Sequence, residues 1–188
     1  MENNLENDFK LIIEVLKDIK IALFLDAGTL LGAIRENYFI NEDKDIDFGI
    51  FRKQLTPEIQ EQIIKSLENN GYKFKGFECP AFINRLEPNF VPYVLKFQGK
   101  YGTRNIDFHI FEEKETYYYH RGWLGYFHFL KENLDTLDTI EFLGIKILVP
   151  HNPEQYLEIH YGKDWRIPKY MSSKDKTPDY PNWSKELK

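Results

Sequence analysis

The run DKDIDFGIF, from Asp43 to Phe51, carries three carboxylates at alternate positions. In an extended strand, side chains alternate between faces, so Asp43, Asp45 and Asp47 would point together while Ile46 and Phe48 point the other way. Two carboxylates about 6 Å apart, at an effective dielectric of about 20, repel by roughly 3 kcal/mol. A fold keeps such a cluster when something positive neutralises it. A second run, NIDFHIF from Asn105, echoes DIDFGIF from Asp45 and sets Asp107 between two apolar residues. Asp45, Asp47 and Asp107, converging from two strands, would make a hard oxygen site suited to Mg²⁺ or Mn²⁺. Such an ion can grip a diphosphate and stabilise charge as a phosphoryl group moves. Upstream, Gly28 and Thr29 open a short helix whose N–H groups can receive phosphate oxygens. The residues alone therefore read as metal and phosphate.

Each of these residues also has a plainer reading. Asp45 and Asp47 fit a solvated strand face, and Asp43, in the preceding loop, fits an exposed acid or a group supporting the ligands. His109 shares a face with Asp107 and is expected to be a hydrogen-bonded histidine, with metal ligand or proton carrier as the alternative. Arg35 stands either in the site or as a cation at a helix C-terminus. The aromatic run at Tyr117 reads as an edge-strand surface.

The elements that must position these groups are legible as patterns. Leu5, Phe9, Ile12, Ile13, Leu16 and Ile19 recur at helical spacing, and Ile21–Leu25 reads as a buried strand before the helix Thr29–Arg35. TPEIQEQIIKSLENNG, with a Thr cap, Pro at the first position and a closing Gly71, reads as a second long helix. YKFKGFE, YVLKFQG, RNIDFHIFEE, ETYYYHRGW, DTIEFLG and IKILVP read as strands, and NPEQYLEIHYG as a late helix. The expectation is an α+β fold: one catalytic domain over 1–170 and a polar surface tail over 171–188.

Composition narrows the classes. The chain has 188 residues, enough for one domain with a core. A formal net charge of −5 argues against a general nucleic-acid binder. Cys79 stands alone, so no disulfide framework or cysteine zinc site is expected. The polar, acidic start and the lack of any apolar run near ~18 residues lead us to expect no signal peptide, no transmembrane segment and a cytoplasmic location.

The ordered motifs carry a resemblance. DAGTLLGAIRENYFINEDKDIDFGIF resembles the signature of the fukutin and LicD-type phosphotransferases, within the nucleotidyltransferase-fold superfamily. RNIDFHIF is similar to that family's later Asp strand, and EQYLEIHYGKDWRIP to its Tyr-Gly-x-x-Trp-x-x-Pro segment, so the likeness runs from Asp26 to about Pro168. It implies a nucleotidyltransferase-like mixed sheet flanked by helices, and a divalent metal. It also implies transfer of a polyol phosphate or phosphocholine from a CDP-linked donor to a glycan hydroxyl. On these positions Asp45 and Asp47 would bind the metal, and Asp107 would share it or deprotonate the acceptor. Gly28, Thr29 and Arg35 would face donor phosphate. Tyr161, Gly162 and Trp165 would shape the donor pocket or simply pack a helix end on the core. The chain is shorter than typical members, so the acceptor-binding part would be reduced or supplied by a partner. Peripheral association with membrane-bound glycan machinery would follow. Two rivals are a nucleotidyltransferase using an NTP and a non-catalytic nucleotide- or glycan-binding module.

Overall fold

In the computed structural model, which describes residues 4–41, 43–78, 93–122, 125–168 and 180–186, the apolar spacing near the N-terminus forms α1 (Asn4–Leu16). Its Phe9, Ile12 and Leu16 are buried in the core. The apolar run after it yields only a two-residue strand, β1 (Phe24–Leu25). Before that, the Ile21 N–H turns back to the Ile19 carbonyl and the Gln54 side chain accepts from the Ala22 N–H, so those groups are diverted from a ladder. Next come α2 (Ala27–Arg35) and β2 (Asp45–Phe51), then α3 (Pro57–Asn69), which starts on a Thr56 hydroxyl cap with Pro at its first turn.

The rest of the chain is mostly sheet: β3 (Lys73–Glu78), β4 (Val94–Gln98), β5 (Asn105–Glu113), β6 (Tyr117–Arg121) and β7 (Tyr126–Leu130). A short α4 (Lys131–Asp135) leads to β8 (Leu137–Phe142), β9 (Ile145–Pro150), α5 (Pro153–Tyr161) and β10 (Trp183–Ser184). The ten strands form one mixed sheet in the order β10-β7-β6-β5-β2-β1-β9-β8, and the β3–β4 pair branches from β5. β2 with β5, and β1 with β9, run parallel.

The tyrosine run expected at an edge is instead an interior strand. β6 lies between β5 and β7, with Tyr118 fully buried. β7, a further aromatic strand, is absent from the sequence reading because YFHFL gives no clean alternation beside its neighbours. Within 171–188, residues 180–186 return to the sheet, where β10 pairs with β7. Most of that segment, and Cys79, lie outside the described residues. No described helix is long and apolar enough to cross a membrane.

The two faces of β2 and β5 have different work. On one face Phe48 stacks between Phe9 of α1 and Phe108 of β5, at 5.9 and 5.4 Å between ring centres. Burying such a side chain is worth ~1.5–3 kcal/mol, so this face fixes the strands against the helices. The other face carries Phe24, Phe51 and Phe111 as an apolar cluster at one end and the acids at the other. Gly49 keeps the two parts close, since a Cβ there would stand 2.2 Å from the Phe24 ring.

Candidate active site

The echo between the two Asp motifs becomes a register. β2 and β5 pair residue for residue, Asp45 with Asn105, Asp47 with Asp107 and Gly49 with His109. Side chains two residues apart share a face, so Asp47, Asp107 and His109 meet, with one ligand atom from each within 4.8 Å of the others. Lys96, opposite Asp107 on β4, brings its ammonium 3.3 Å from the carboxylate.

Asp47 is held from the side by α2. The Gly28 N–H donates to Asp47 Oδ2 at 3.1 Å, and the Asp47 N–H donates to the Thr29 hydroxyl at 2.9 Å. The helix N-terminus, with its partial positive charge, is thus turned on a carboxylate of the protein itself. A Cβ on Gly28 would stand 3.1 Å from Asp43 Oδ2 and 3.3 Å from Asp47 Oδ2, so glycine lets both acids approach. Asp43 accepts from the Lys44 and Asp45 N–H groups, which turns the loop acid inward. Burial, and then the neighbouring carboxylates Asp107, Asp26 and Asp43, push the Asp47 carboxyl up to about 7 against the pull of His109.

Behind the pair lies a buried dyad. Asp26 Oδ2 stands 2.8 Å from His109 Nδ1, and the Tyr156 hydroxyl donates to Asp26 Oδ1 at 2.7 Å. A carboxylate can only accept, so the proton sits on His109 Nδ1. Burial alone would raise Asp26, but the His109 bond and charge, with help from His120 and Tyr156, hold it well below the usual range. The same contact outweighs burial at His109 and pushes it up to about 9. The ring of His120 stacks on His109 at 4.9 Å, and burial next to that cation takes it down to about 3. Asp26, His109 and His120 form a second set whose ligand atoms lie within 4.8 Å of one another, and each oxygen of its carboxylate already accepts a hydrogen bond.

Of the acids, Asp107 lines a cleft of about 220 Å³. Asp107, His109, His120 and Arg121 line it together with the aromatic side chains of Phe127, Tyr161 and Tyr180, and Phe127 stacks on His120 with ring centres 5.0 Å apart. Tyr180 stacks on His160 with ring centres 4.9 Å apart, and the Asn182 side chain accepts from His160 at 3.2 Å. The C-terminal segment thereby becomes part of the lining.

The expected site residues separate accordingly. Asp47, Asp107, Gly28 and Thr29 come together. Asp45 shares their face, one strand step of about 7 Å away, but its carboxylate is engaged by Arg104 and Asn105. Tyr161 lines the cleft, Gly162 stops α5 at φ 92°, and Trp165 is buried away from the cleft lining. Arg35 sits at the far end of α2, where it bonds Glu36 and the Trp165 carbonyl. The helix puts it about 10 Å from Gly28. Sequence reasoning missed Asp26, Lys96, Arg104, His120, His160 and Tyr180. Of these only Asp26 left a signal: an acid directly after a buried strand needs a buried partner.

A family model, LicD/FKTN/FKRP, nucleotidyltransferase domain, matches residues 20–152, the part that builds the acid pair and its dyad. The ribitol-5-phosphate transferase FKTN of Mus musculus is 31% identical over 163 residues, and that of Homo sapiens 28%; each match covers 85% of this chain. The chain spans about a third of the length of these curated relatives. Among solved structures, the antibiotic-resistance factor ANT(2'')-Ia in solution aligns with a TM-score of 0.49 at 10% identity, covering 80% of this chain and 66% of that one. Its crystal structure in complex with adenylyl-2''-tobramycin gives 0.46 at 11%, covering 79% and 70%. The match to residues 20–152 takes in the Gly-Thr helix, both Asp strands and the dyad between them, and on that ground the chain belongs to the LicD/FKTN/FKRP family.

Proposed function

We propose that the protein transfers an alcohol phosphate, a polyol phosphate or phosphocholine, from a CDP-linked donor to a glycan hydroxyl, releasing CMP. The observation that carries this reading is the in-register pairing of Asp47 with Asp107, which lines the cleft, in a family whose relatives are named ribitol-5-phosphate transferases. The donor set fits a divalent cation. Asp26, Asp43, Asp45, Asp47 and Asp107 outnumber the nearby cations Lys96, Arg104, His109 and Arg121, and burial first, then the neighbouring carboxylates, drive the Asp47 carboxyl up. Asp47 and Asp107 would hold Mg²⁺ or Mn²⁺, which would supply charge neutralisation at the transferring phosphate.

The protein's own groups do the positioning. Gly28 and Thr29 fix Asp47, and Tyr156 and Asp26 fix His109, so the acid pair is preorganised rather than recruited. The acceptor oxygen forms its bond to the phosphorus that carries the alcohol, the bond from that phosphorus to the CMP oxygen breaks, and CMP leaves with the electron pair. Asp107, which lines the cleft, takes the hydroxyl proton on the carboxylate oxygen that does not face the metal. Phosphoryl transfer through a loose transition state needs alignment and charge stabilisation more than strong base catalysis, and this site offers both. The aromatic wall of Phe127, Tyr161 and Tyr180 holds the non-reacting part of a substrate. We place the enzyme in the cytoplasm, working peripherally with membrane-bound glycan machinery.

The test is melting temperature and CMP release with CDP-ribitol, CDP-glycerol, CDP-choline, CTP and ATP, with and without Mg²⁺ or Mn²⁺. A metal-dependent shift and CMP release with one CDP-alcohol, both lost in Asp47→Asn, supports the reading. Pyrophosphate release from an NTP instead makes the protein a nucleotidyltransferase, and binding without turnover makes it a binding module.

A further inference from the structure

The expected metal ligand Asp45 poses a problem, since its carboxylate is already saturated. Asp45 Oδ1 accepts from Arg104 Nε at 3.1 Å and from the Asn105 backbone and side-chain N–H groups at 3.2 Å each. Asp45 Oδ2 accepts from Arg104 Nη2 at 2.7 Å. The guanidinium thus covers both oxygens in a fork. That geometry fits a carboxylate and a phosphate equally well.

The base of this arm is fixed and its tip is not. Asp8, an acid fully buried in α1, accepts from the Lys100, Tyr101 and Thr103 backbone N–H groups and so pins the loop before β5. The Gly99 N–H closes the loop on the Thr103 carbonyl at 3.0 Å, and the Arg104 N–H bonds the Lys44 carbonyl at 2.8 Å. Beyond that anchored backbone, the Arg104 side chain is 67% exposed and its known ion-pair partner is Asp45. Asp45, which the guanidinium covers, stands one strand step, about 7 Å, from Asp47, within the span of a diphosphate.

We propose that Arg104 is a phosphate-binding residue of the donor site and that its fork on Asp45 is a latch. Without ligand, the guanidinium masks Asp45. When a diphosphate and a divalent cation arrive, the arm swings from carboxylate to phosphate oxygen, and Asp45 joins Asp47 at the metal. The exchange keeps every charge paired in both states, so it costs little. This rests on the transferase reading for the identity of the ligand, but not for its test.

The variants are Arg104→Gln and Arg104→Lys, and the probes are Mn²⁺ alone and CDP at fixed free Mn²⁺, both read by calorimetric titration. The latch requires effects of opposite sign. Arg104→Gln binds Mn²⁺ alone more tightly than wild type, because Asp45 is released, and binds CDP about tenfold more weakly, the worth of one charge-assisted fork. Arg104→Lys, which keeps the charge and loses the fork, falls between. A lower melting temperature with both affinities unchanged would make the pair a plain ion bridge and overturn the proposal. So would weaker Mn²⁺ binding in Arg104→Gln, or no Mn²⁺ binding by wild type. Opposite-signed shifts without turnover on any CDP-alcohol keep the latch and refute the transferase reading, whereas turnover with unchanged affinities refutes the latch alone.

Discussion

Asp47→Asn should make the metal-free protein more stable while abolishing its activity. The folded protein raises this carboxyl from 3.8 to about 7, chiefly by burial and then by the acids around it. Below pH 4 the group is protonated in both folded and unfolded chains and contributes nothing. Between pH 4 and 7 the unfolded chain loses the proton that the folded chain keeps, so the penalty grows, and it is complete above about pH 7. Three pK units correspond to ~4 kcal/mol at 1.36 kcal/mol each. Water at the cleft screens part of this, which leaves ~2 kcal/mol. Asparagine retains an oxygen for the Gly28 N–H, so little is lost in exchange. For a chain of this size that is a rise of about 4–8 °C in melting temperature at pH 8. The assay is thermal unfolding in EDTA from pH 4 to 8 for both proteins. The two curves should converge at pH 4, and Mn²⁺ should close the gap at pH 8 by stabilising only the wild type. A destabilised variant at pH 8, or a gap that does not change with pH, would refute the electrostatic account of this site.

Other perturbations follow from the same contacts. His109, raised from 6.5 to about 9, gives its full stabilisation below about pH 6.5 and loses it as pH rises through 9, so His109→Gln should flatten the stability loss over that window in urea titrations. Gly49→Ala drives a Cβ to 2.2 Å from the buried Phe24 ring and should cost about 2–3 kcal/mol in chemical denaturation, with no dependence on metal. Asp8→Ala strips the acceptor from the backbone amides of Lys100, Tyr101 and Thr103. It should speed hydrogen exchange at those amides and destabilise the fold by about 2–3 kcal/mol. Tyr180→Ala removes part of the cleft's aromatic lining, so steady-state kinetics should show a rise in KM larger than the fall in kcat.

The legible part of this protein is the part governed by strand periodicity. DIDF and NIDF each put an acid on a face opposite two large apolar residues, and the parallel register of β2 and β5 then brings Asp47 beside Asp107. The helices at Leu5 and Thr56 were equally readable, because local spacing and caps set them. Contacts set by tertiary placement were not. Gly28 and Thr29 read as a phosphate cradle, since a helix N-terminus attracts any anion, and only the fold shows that β2 presents Asp47 there first. Asp26 needed His109, 83 residues later, before its burial made sense. Arg35 lay on the right helix at the wrong end.

The site is divided along the chain in a way that bears on specificity. Both acids, the dyad residues Asp26 and His109, the latch at Arg104 and the loop that carries it fall within residues 20–152, which match the family model. The aromatic wall comes partly from later residues, with Tyr161 at the end of α5 and Tyr180 on the segment that returns as β10. The chemistry of moving a phosphoryl group is common to any alcohol carried on it, so the groups that perform it gain nothing by varying. Discrimination between one polyol and another must come from surfaces that touch the non-reacting part of the substrate. Under the proposed function Tyr161 and Tyr180, which line the cleft, would be such surfaces, and they stand outside residues 20–152. Exchanging the segment from Pro153 onward between relatives should therefore change which alcohol is accepted and leave the metal requirement as it was. Measuring CMP release by such a chimaera against a panel of CDP-alcohols decides the point: an unchanged donor preference would place specificity within residues 20–152 instead.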